Sequence, residues 1–257
     1  LIAEELKREK TRVLSGPFFS DRCKPELKNQ TPACPGVLAR KVRYGTGNIA
    51  RERAMSEEET LRAMAIGMEL AAQAKRDGVG AVGIGEMGIG NTTTSSAVLA
   101  ALTGAPVEAL TGRGGGLTDS AFETKQRGIQ QALDLHRPPQ DDPVAVLSMV
   151  GGLDLAAMTG AFLGCAREGV AAVVDGFISV VAALCAARLC PAAKDMMFLS
   201  HASYEAGYRL AADELGLEPC LLLGMRLGEG SGCPLMFRVL QGACAVLRDM
   251  ATFAEGE

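Results

Sequence analysis

From residue 80 onward, short apolar runs alternate with helix-sized segments, and this alternation constrains the fold more than any other feature. The runs GAVGIG (80–85), DPVAVLSMV (142–150), VAAVVDG (170–176), MMFLS (196–200) and CLLLG (220–224) each read as a strand. Helical segments lie between them: AVLAALTG, the polar stretch after GRGGGLTD, a helix from Gly152 through Cys165, one after Asp175-Gly176, one through Leu215, and one from about Pro234 to Met250. Apolar strands separated by helices imply a parallel sheet covered on both faces, an α/β architecture of Rossmann-like type. No internal repeat is visible.

Ahead of this region, Ser56-Glu57-Glu58-Glu59 is a capping-box signature. It opens a helix expected to bury Leu61, Met64, Met68 and Ala72 and to end near Asp77-Gly78. The first 50 residues are the least regular. LIAEELKREK has helical character, and GPFFSDRCKPELKNQTPACPG reads as loop.

Polar and glycine-rich signals fall just after the strands: Glu86 onward, Gly151-Gly152, Asp175-Gly176, Ser200 to Ser203, and Arg226 to Ser231. In open parallel sheets ligands bind outside the carboxyl ends of the strands, so five loops are expected to converge on one crevice. The string GEMGIGNTTTSSA (85–97) is the most informative of them. A glycine-rich turn between strand and helix turns backbone N–H groups outward at a helix N-terminus, which binds phosphate. The string is neither a Walker A loop nor a dinucleotide fingerprint in register. Its candidate binding residues are Gly88, Gly90, Asn91 and Thr92.

The chemistry-bearing residues each admit two readings. Glu229, between Gly228 and Gly230, is either a general base or an exposed turn acid. Glu86 is either a second acid or a cap for the loop that follows. Arg113 with Gly114, Gly115 and Gly116 is either an anion cradle or a mobile loop. Lys125 on the following helix is either functional or a solvated charge. Asp175 ends an apolar strand and meets either a ligand hydroxyl or a backbone N-cap. His136 reads as surface, His201 lies beside the crevice, and neither has a Ser or Cys partner at triad spacing.

Composition excludes several classes. The net charge is −4, aromatics are 4% and Trp is absent, which argues against nucleic acid. Eight scattered cysteines, with no C-x-x-C pair and two histidines, make a metal site unexpected and suit a reduced cytoplasmic setting. Most of these cysteines lie in Ala- and Leu-rich surroundings, where the residue is a small buried hydrophobe. The apolar stretch 170–190 is broken by Asp175-Gly176 into pieces too short to cross a membrane.

GEMGIGNTTTSSA, GRGGGLTDSAFETK, SHASYEAGYRLAADELGLEP, LGMRLGEGSG and MATFAE, in this order, resemble the nicotinate-nucleotide–dimethylbenzimidazole phosphoribosyltransferase family from about Pro35 to Glu257. The resemblance implies transfer of 5-phosphoribosyl from nicotinate mononucleotide to 5,6-dimethylbenzimidazole or a related base. The products are α-ribazole 5'-phosphate and nicotinate, for assembly of the cobalamin nucleotide loop, with inversion at the anomeric carbon. It implies no cofactor and no metal, a homodimer, and small-molecule substrates as the partners. It places the catalytic base at Glu229 and two further active-site groups at Glu86 and Lys125. Gly88, Gly114, Asp175, Ser203 and Gly228 match positions that cradle phosphate and ribose.

The implied organisation is an irregular region over 1–50, an α/β core over 51–231, and a C-terminal helix over 232–257 that belongs to a small helical domain built from the chain ends. The chain departs from the family pattern in lacking PPGSLG-like and DHGV-like strings, in GRGGGLTD for GRGTGLDD, and in EAGY for EPGH, with Tyr208 replacing His. Together with the start at Leu1 and the poor match of the first 34 residues, these departures suggest a piece of a longer enzyme or a shortened paralogue. A paralogue that binds a nucleotide or benzimidazole without turnover is the alternative. A nicotinamide-dependent oxidoreductase fits worse, because Glu108 in VEALTG falls short of any clear second strand.

Overall fold

In the computed structural model, described over residues 11–15, 38–114 and 116–251, four parallel strands form one sheet in the order β1-β2-β3-β4. They are β1 (Thr11–Ser15), β2 (Ala81–Gly85), β3 (Ala171–Val174) and β4 (Met197–Leu199). The pairing is in register, with Thr11 beside Ala81, Ala81 beside Ala171, and Ala172 beside Met197. β1 has no counterpart in the sequence reading. The helical expectation for LIAEELKREK and the loop reading of 16–36 lie outside the described residues, as do Cys23, Cys34, Gly115 and the end of MATFAE.

The helices are α1 (Glu57–Arg76), α2 (Asn91–Thr103), α3 (Val107–Leu110), α4 (Asp119–His136), α5 (Pro143–Val150), α6 (Leu153–Glu168), α7 (Phe177–Leu189), α8 (Tyr208–Leu215) and α9 (Gly232–Asp249). A short 3-10 turn, Pro191–Met196, leads into β4. Strands that advance in one direction through right-handed crossovers leave their connecting helices on one face. On that face Val82, Ile84, Ala172 and Val174 join the main core with residues of α6 and α7. The other face, Ala81, Ala171 and Val173, is covered by Cys233, Met236, Phe237 and Leu240 of α9. β2 and β3 are therefore buried at every position, which is why they read as unbroken apolar runs. Gly83 lets α9 sit close: a Cβ there would lie 2.6 Å from Cys233 Cβ.

Three sequence readings are corrected. DPVAVLSMV is a helix, α5, with no strand character. The Asp142 carboxyl accepts the N–H groups of Val144 and Ala145 at 3.1 and 3.0 Å, and Pro143 occupies the first turn, where no N–H is needed. A buried helix and a buried strand share the same apolar pattern, so only the cap separates them. CLLLG makes a single bridge, Leu221 to His201, and then leaves the sheet. Leu222 and Leu223 are 81% and 61% exposed.

The third correction concerns α1. Its capping box forms as expected, with Glu59 N–H donating to Ser56 Oγ at 3.1 Å and Ser56 N–H donating to Glu59 Oε2 at 2.9 Å. The buried stripe is Thr60, Ala63, Met64, Gly67, Ala71 and Ala74, while Leu61 is 48% exposed. The reason is steric. α1 and α6 approach so closely that a Cβ on Gly67 would meet the Ala157 carbonyl oxygen, and one on Gly160 would meet that of Met64. Small residues win this face over larger apolar ones. Gly160→Ala should thus lower unfolding free energy by about 1–3 kcal/mol, because backbone rather than a flexible side chain must move. Urea denaturation checks this; an unchanged midpoint would refute the close-packing account.

Candidate functional site

The carboxyl ends of β2 and β3 and the chain beyond β4 open onto one pocket. The glycine-rich loop after β2, Gly114, the β3–α7 turn, Ser203, Glu205, and Arg226 to Glu229 line it. Four of the five loops expected from the sequence are in the lining. The fifth, Gly151-Gly152, contributes from behind: Gly152 leaves room for the Asp154 carboxyl at the start of α6.

Two helices point uncapped N-termini at the pocket. α2 begins at Asn91 after Gly90, whose φ of 93° is left-handed backbone, and no side chain caps it. α7 begins at Phe177 after Gly176, likewise without a side-chain cap. Asn91, Thr92, Gly176 and Phe177 all line the pocket. Unpaired N–H groups and aligned peptide dipoles make each end attractive to an anion. Arg226, stacked 4.9 Å from the Tyr204 ring, is the one cation among the described lining residues.

Acids face these positive ends. Asp175 ends β3 and is almost wholly buried. Its Oδ2 accepts the Gly230 N–H at 3.0 Å and its Oδ1 accepts the Gly232 N–H at 2.8 Å. The clamp draws the loop onto Gly85, where any Cβ would lie 2.5 Å from Gly230 Cα. Within the clamped loop Gly228, Glu229 and Gly230 have φ of 73°, 58° and 76°. Left-handed backbone suits the glycines and strains Glu229, by roughly 1–2 kcal/mol. The Glu229 carboxyl is thereby presented to the pocket by backbone geometry. Beneath the clamp, His201 is buried, 3.0 Å from Ser200 Oγ and 3.9 Å from Asp175 Oδ1. Burial lowers its pKa and Asp175 opposes this.

Glu86 enters from the end of β2. Its carboxyl accepts a hydrogen bond from Asn91 Nδ2, which also donates to Asp154 Oδ2 at 2.9 Å. Burial pushes the Glu86 pKa up to about 7; the Asn91 bond opposes this, and the charges of Asp154, Asp175 and Glu229 add to it.

The structure brings Glu229, Glu86, Gly88, Asn91, Thr92, Gly114, Asp175, Ser203 and Gly228 into the lining. Gly90 stands one residue before it, and Gly115 lies outside the described residues. Lys125 stands behind the wall. Its Nζ donates to Thr92 Oγ1 and to the Gly112 carbonyl, both at 2.9 Å, tying α4 and the 112–116 loop to the N-terminus of α2. Burial lowers its pKa, with Glu205 pulling the other way. Arg113 turns away, paired with Asp119 at 2.6 Å and stacked on Phe122. His136 meets the Ile49 carbonyl far along the chain. Sequence reasoning missed Asp154 and Glu205. Glu205 follows Ser203 by two residues, a spacing that marks it only once the loop is known to face inward. Among the described residues no His, Cys, Asp and Glu group is arranged to hold a metal ion, and no helix is long and apolar enough to cross a membrane.

Known proteins are similar to this chain in sequence and fold. The family model DBI_PRT, described as phosphoribosyltransferase, matches residues 22–257, beginning ahead of Pro35 and so including part of the segment that the sequence reading set aside. A curated protein of Clostridium perfringens, named nicotinate-nucleotide–dimethylbenzimidazole phosphoribosyltransferase, is 50% identical over 89% of this chain. One of the same name from Geobacter metallireducens is 47% identical over 86%. The chain spans 63% of the length of each of these relatives. The crystal structure of CobT from Thermus thermophilus superposes with a TM-score of 0.83 at 40% identity, covering 89% of this chain and 68% of that one.

The raised Glu86 pKa has a consequence for stability. Glu86 keeps its proton in the folded state while the unfolded chain loses it, so its stabilising share is full below pH 4.5 and is lost as pH rises through about 7. Across that window unfolding free energy should fall by an amount of order 3 kcal/mol from this group, and Glu86→Gln should flatten the slope. Urea titrations of both proteins at several pH values measure it; equal slopes would show that Glu86 is an ordinary carboxylate.

Proposed function

The chain belongs to the DBI_PRT phosphoribosyltransferase family, and from that premise we propose that it transfers the 5-phosphoribosyl group of nicotinate mononucleotide to 5,6-dimethylbenzimidazole or a related base. The observation that carries this reading is that two carboxyls, Glu86 and Glu229, share one pocket with the uncapped N-termini of α2 and α7. The names of the relatives supply the substrate pair.

The geometry suits that reaction. The donor phosphate takes the N-terminus of α2, where Thr92 and Gly114 lie side by side and Lys125 braces the wall from behind. Binding energy at the phosphate, remote from the breaking bond, fixes the ribose for attack. A ring nitrogen of the acceptor forms the new bond to C1′. The bond from C1′ to the pyridinium nitrogen breaks, and its electron pair stays with nicotinate. The leaving group departs as a neutral pyridine ring and needs no acid. The acceptor's other ring nitrogen gives its proton to the Glu229 carboxylate. Carboxylates near C1′ stabilise the positive charge that develops there. The apolar side chains of Met87, Phe177 and Leu227 in the lining suit a flat aromatic acceptor. A homodimer is part of the same proposal, with light scattering as its test.

Mixing the protein with nicotinate mononucleotide and dimethylbenzimidazole should release nicotinate, measured by chromatography, only when the base is present. Release without base would make it a hydrolase, and no release from folded protein would favour the paralogue that only binds. Glu229→Gln should lower kcat by about 100-fold or more with KM for the donor little changed, since proton acceptance is lost and the phosphate cradle kept. Lys125→Ala should act in the opposite way, raising donor KM several-fold through the loosened Thr92 and Gly112 contacts; an unchanged KM would remove it from the donor site.

A further inference from the structure

Asp154 is an acid in the buried first turn of α6, 9% exposed and outside the pocket lining. It sits in the first turn of α6, where the helix dipole favours a negative charge. Its Oδ1 accepts the Leu155 N–H at 2.8 Å, and its Oδ2 accepts Asn91 Nδ2 at 2.9 Å. The same amide nitrogen donates to Glu86 Oε2. One NH2 group therefore joins two carboxyls, and both of its hydrogens are used. This fixes which way the Asn91 amide faces: its nitrogen lies between the acids, and its oxygen is the atom left for other contacts.

Two carboxylates bridged by one neutral amide do not ionise together easily in a buried site. Burial raises the pKa of both, so the remaining surroundings decide which keeps the charge. Asp154 has backbone donation and a helix N-terminus as well as the amide. Glu86 has the amide alone, and it faces Asp154 from α6, Asp175 from β3 and Glu229 from the loop before α9. The charge settles on Asp154 and the proton on Glu86.

We propose that Asp154 is a positioning residue of the site: without touching a ligand, it anchors the Asn91 amide, and its buried negative charge keeps the proton on Glu86. A neutral Glu86 leaves Glu229 as the base and reduces the repulsion that an anionic phosphate meets on entering a pocket rich in acids. The proposal rests on the transferase reading for its role in turnover, but the proton on Glu86 can be read without turnover.

The test is a pH titration by 13C NMR of protein labelled at the glutamate side-chain carboxyl, with the Glu86 signal assigned by its loss in Glu86→Gln. Asp154→Asn, which keeps the shape and an acceptor for Leu155, should lower the Glu86 midpoint by roughly one pH unit. Asn91→Ala should raise it, because the bond that favours the ionised form is gone while the Asp154 charge remains. Simple loosening of the site would admit water and lower both midpoints. An unchanged midpoint in Asp154→Asn, or a fall in both variants, overturns the proposal. In the nicotinate-release assay the pH profile of kcat/KM for Asp154→Asn should move by the same amount as the NMR midpoint. A profile that stays in place while the midpoint moves would separate Glu86 from the reaction and overturn the role in turnover. If the wild-type protein releases no nicotinate, the transferase reading fails while the NMR result still decides the Asp154–Glu86 coupling.

Discussion

The carboxylate of Asp175 is the interaction on which the rest of the site depends. It stands at the end of a strand buried on both faces and accepts two backbone N–H groups from the loop that precedes α9. That one group joins the sheet, the loop bearing Glu229, and the helix that closes the sheet's second face. Without an acceptor, each of those buried N–H groups would carry a desolvation cost of about 1–3 kcal/mol. The clamp also over-determines the backbone at Glu229, which holds a left-handed conformation that a residue with a side chain rarely adopts. The strain holds the Glu229 carboxyl facing the pocket, the fixed geometry that the proposed base needs. The glycines on either side relieve the turn, and Gly85 gives it room.

Charge balance is the second organising constraint. Glu86, Asp175, Glu205 and Glu229 all reach the pocket, and a single described cation, Arg226, lines it. A site of that composition would repel a phosphate if side chains alone counted. The uncapped ends of α2 and α7 supply the opposing potential through backbone dipoles, which need no mobile cation and lose no side-chain entropy on binding. Lys125 adds stiffness at the α2 end, because its hydrogen bonds to Thr92 and Gly112 tie protein to protein. On the proposed reading, acids for the chemistry and helix ends for the phosphate share one small volume.

The particular successes and failures of the sequence reading follow from what each signal measures. The strands β2 and β3 were legible because double burial excludes polar residues from them, and the edge strand β4 because its run is apolar as well. The Ser56 to Glu59 capping box was legible because its two bonds are local. DPVAVLSMV and CLLLG were misread because an apolar run reports burial or the potential for it, without secondary structure. The buried face of α1 was misplaced because the partner helix demanded small residues, a preference that comes from α6 alone. The loops carrying Glu86, Asp175 and Ser203 meet in one crevice because they follow strands, whereas the Glu229 loop follows only a single bridge and is brought there by its backbone bonds to Asp175. Glu205 and Asp154 were overlooked because nothing near them in sequence says which way they face.

The amino-acid sequence by itself determined the α/β class, the position of the glycine-rich loop after β2, and the family, through ordered motifs specific enough to survive the departures at GRGGGLTD and EAGY. These are properties of local pattern and of residue identity along the chain. Only the tertiary structure decided that Asp175 holds a loop by its backbone, that Lys125 braces the wall from behind, and that Asn91 links Glu86 to Asp154, an acid 63 residues further along the chain than Asn91 itself. Hydrogen-bond partners and burial depend on distances across the fold. A carboxyl shows in the sequence only as an acid; its proton and its role are set by the groups that folding brings within about 3 Å of it.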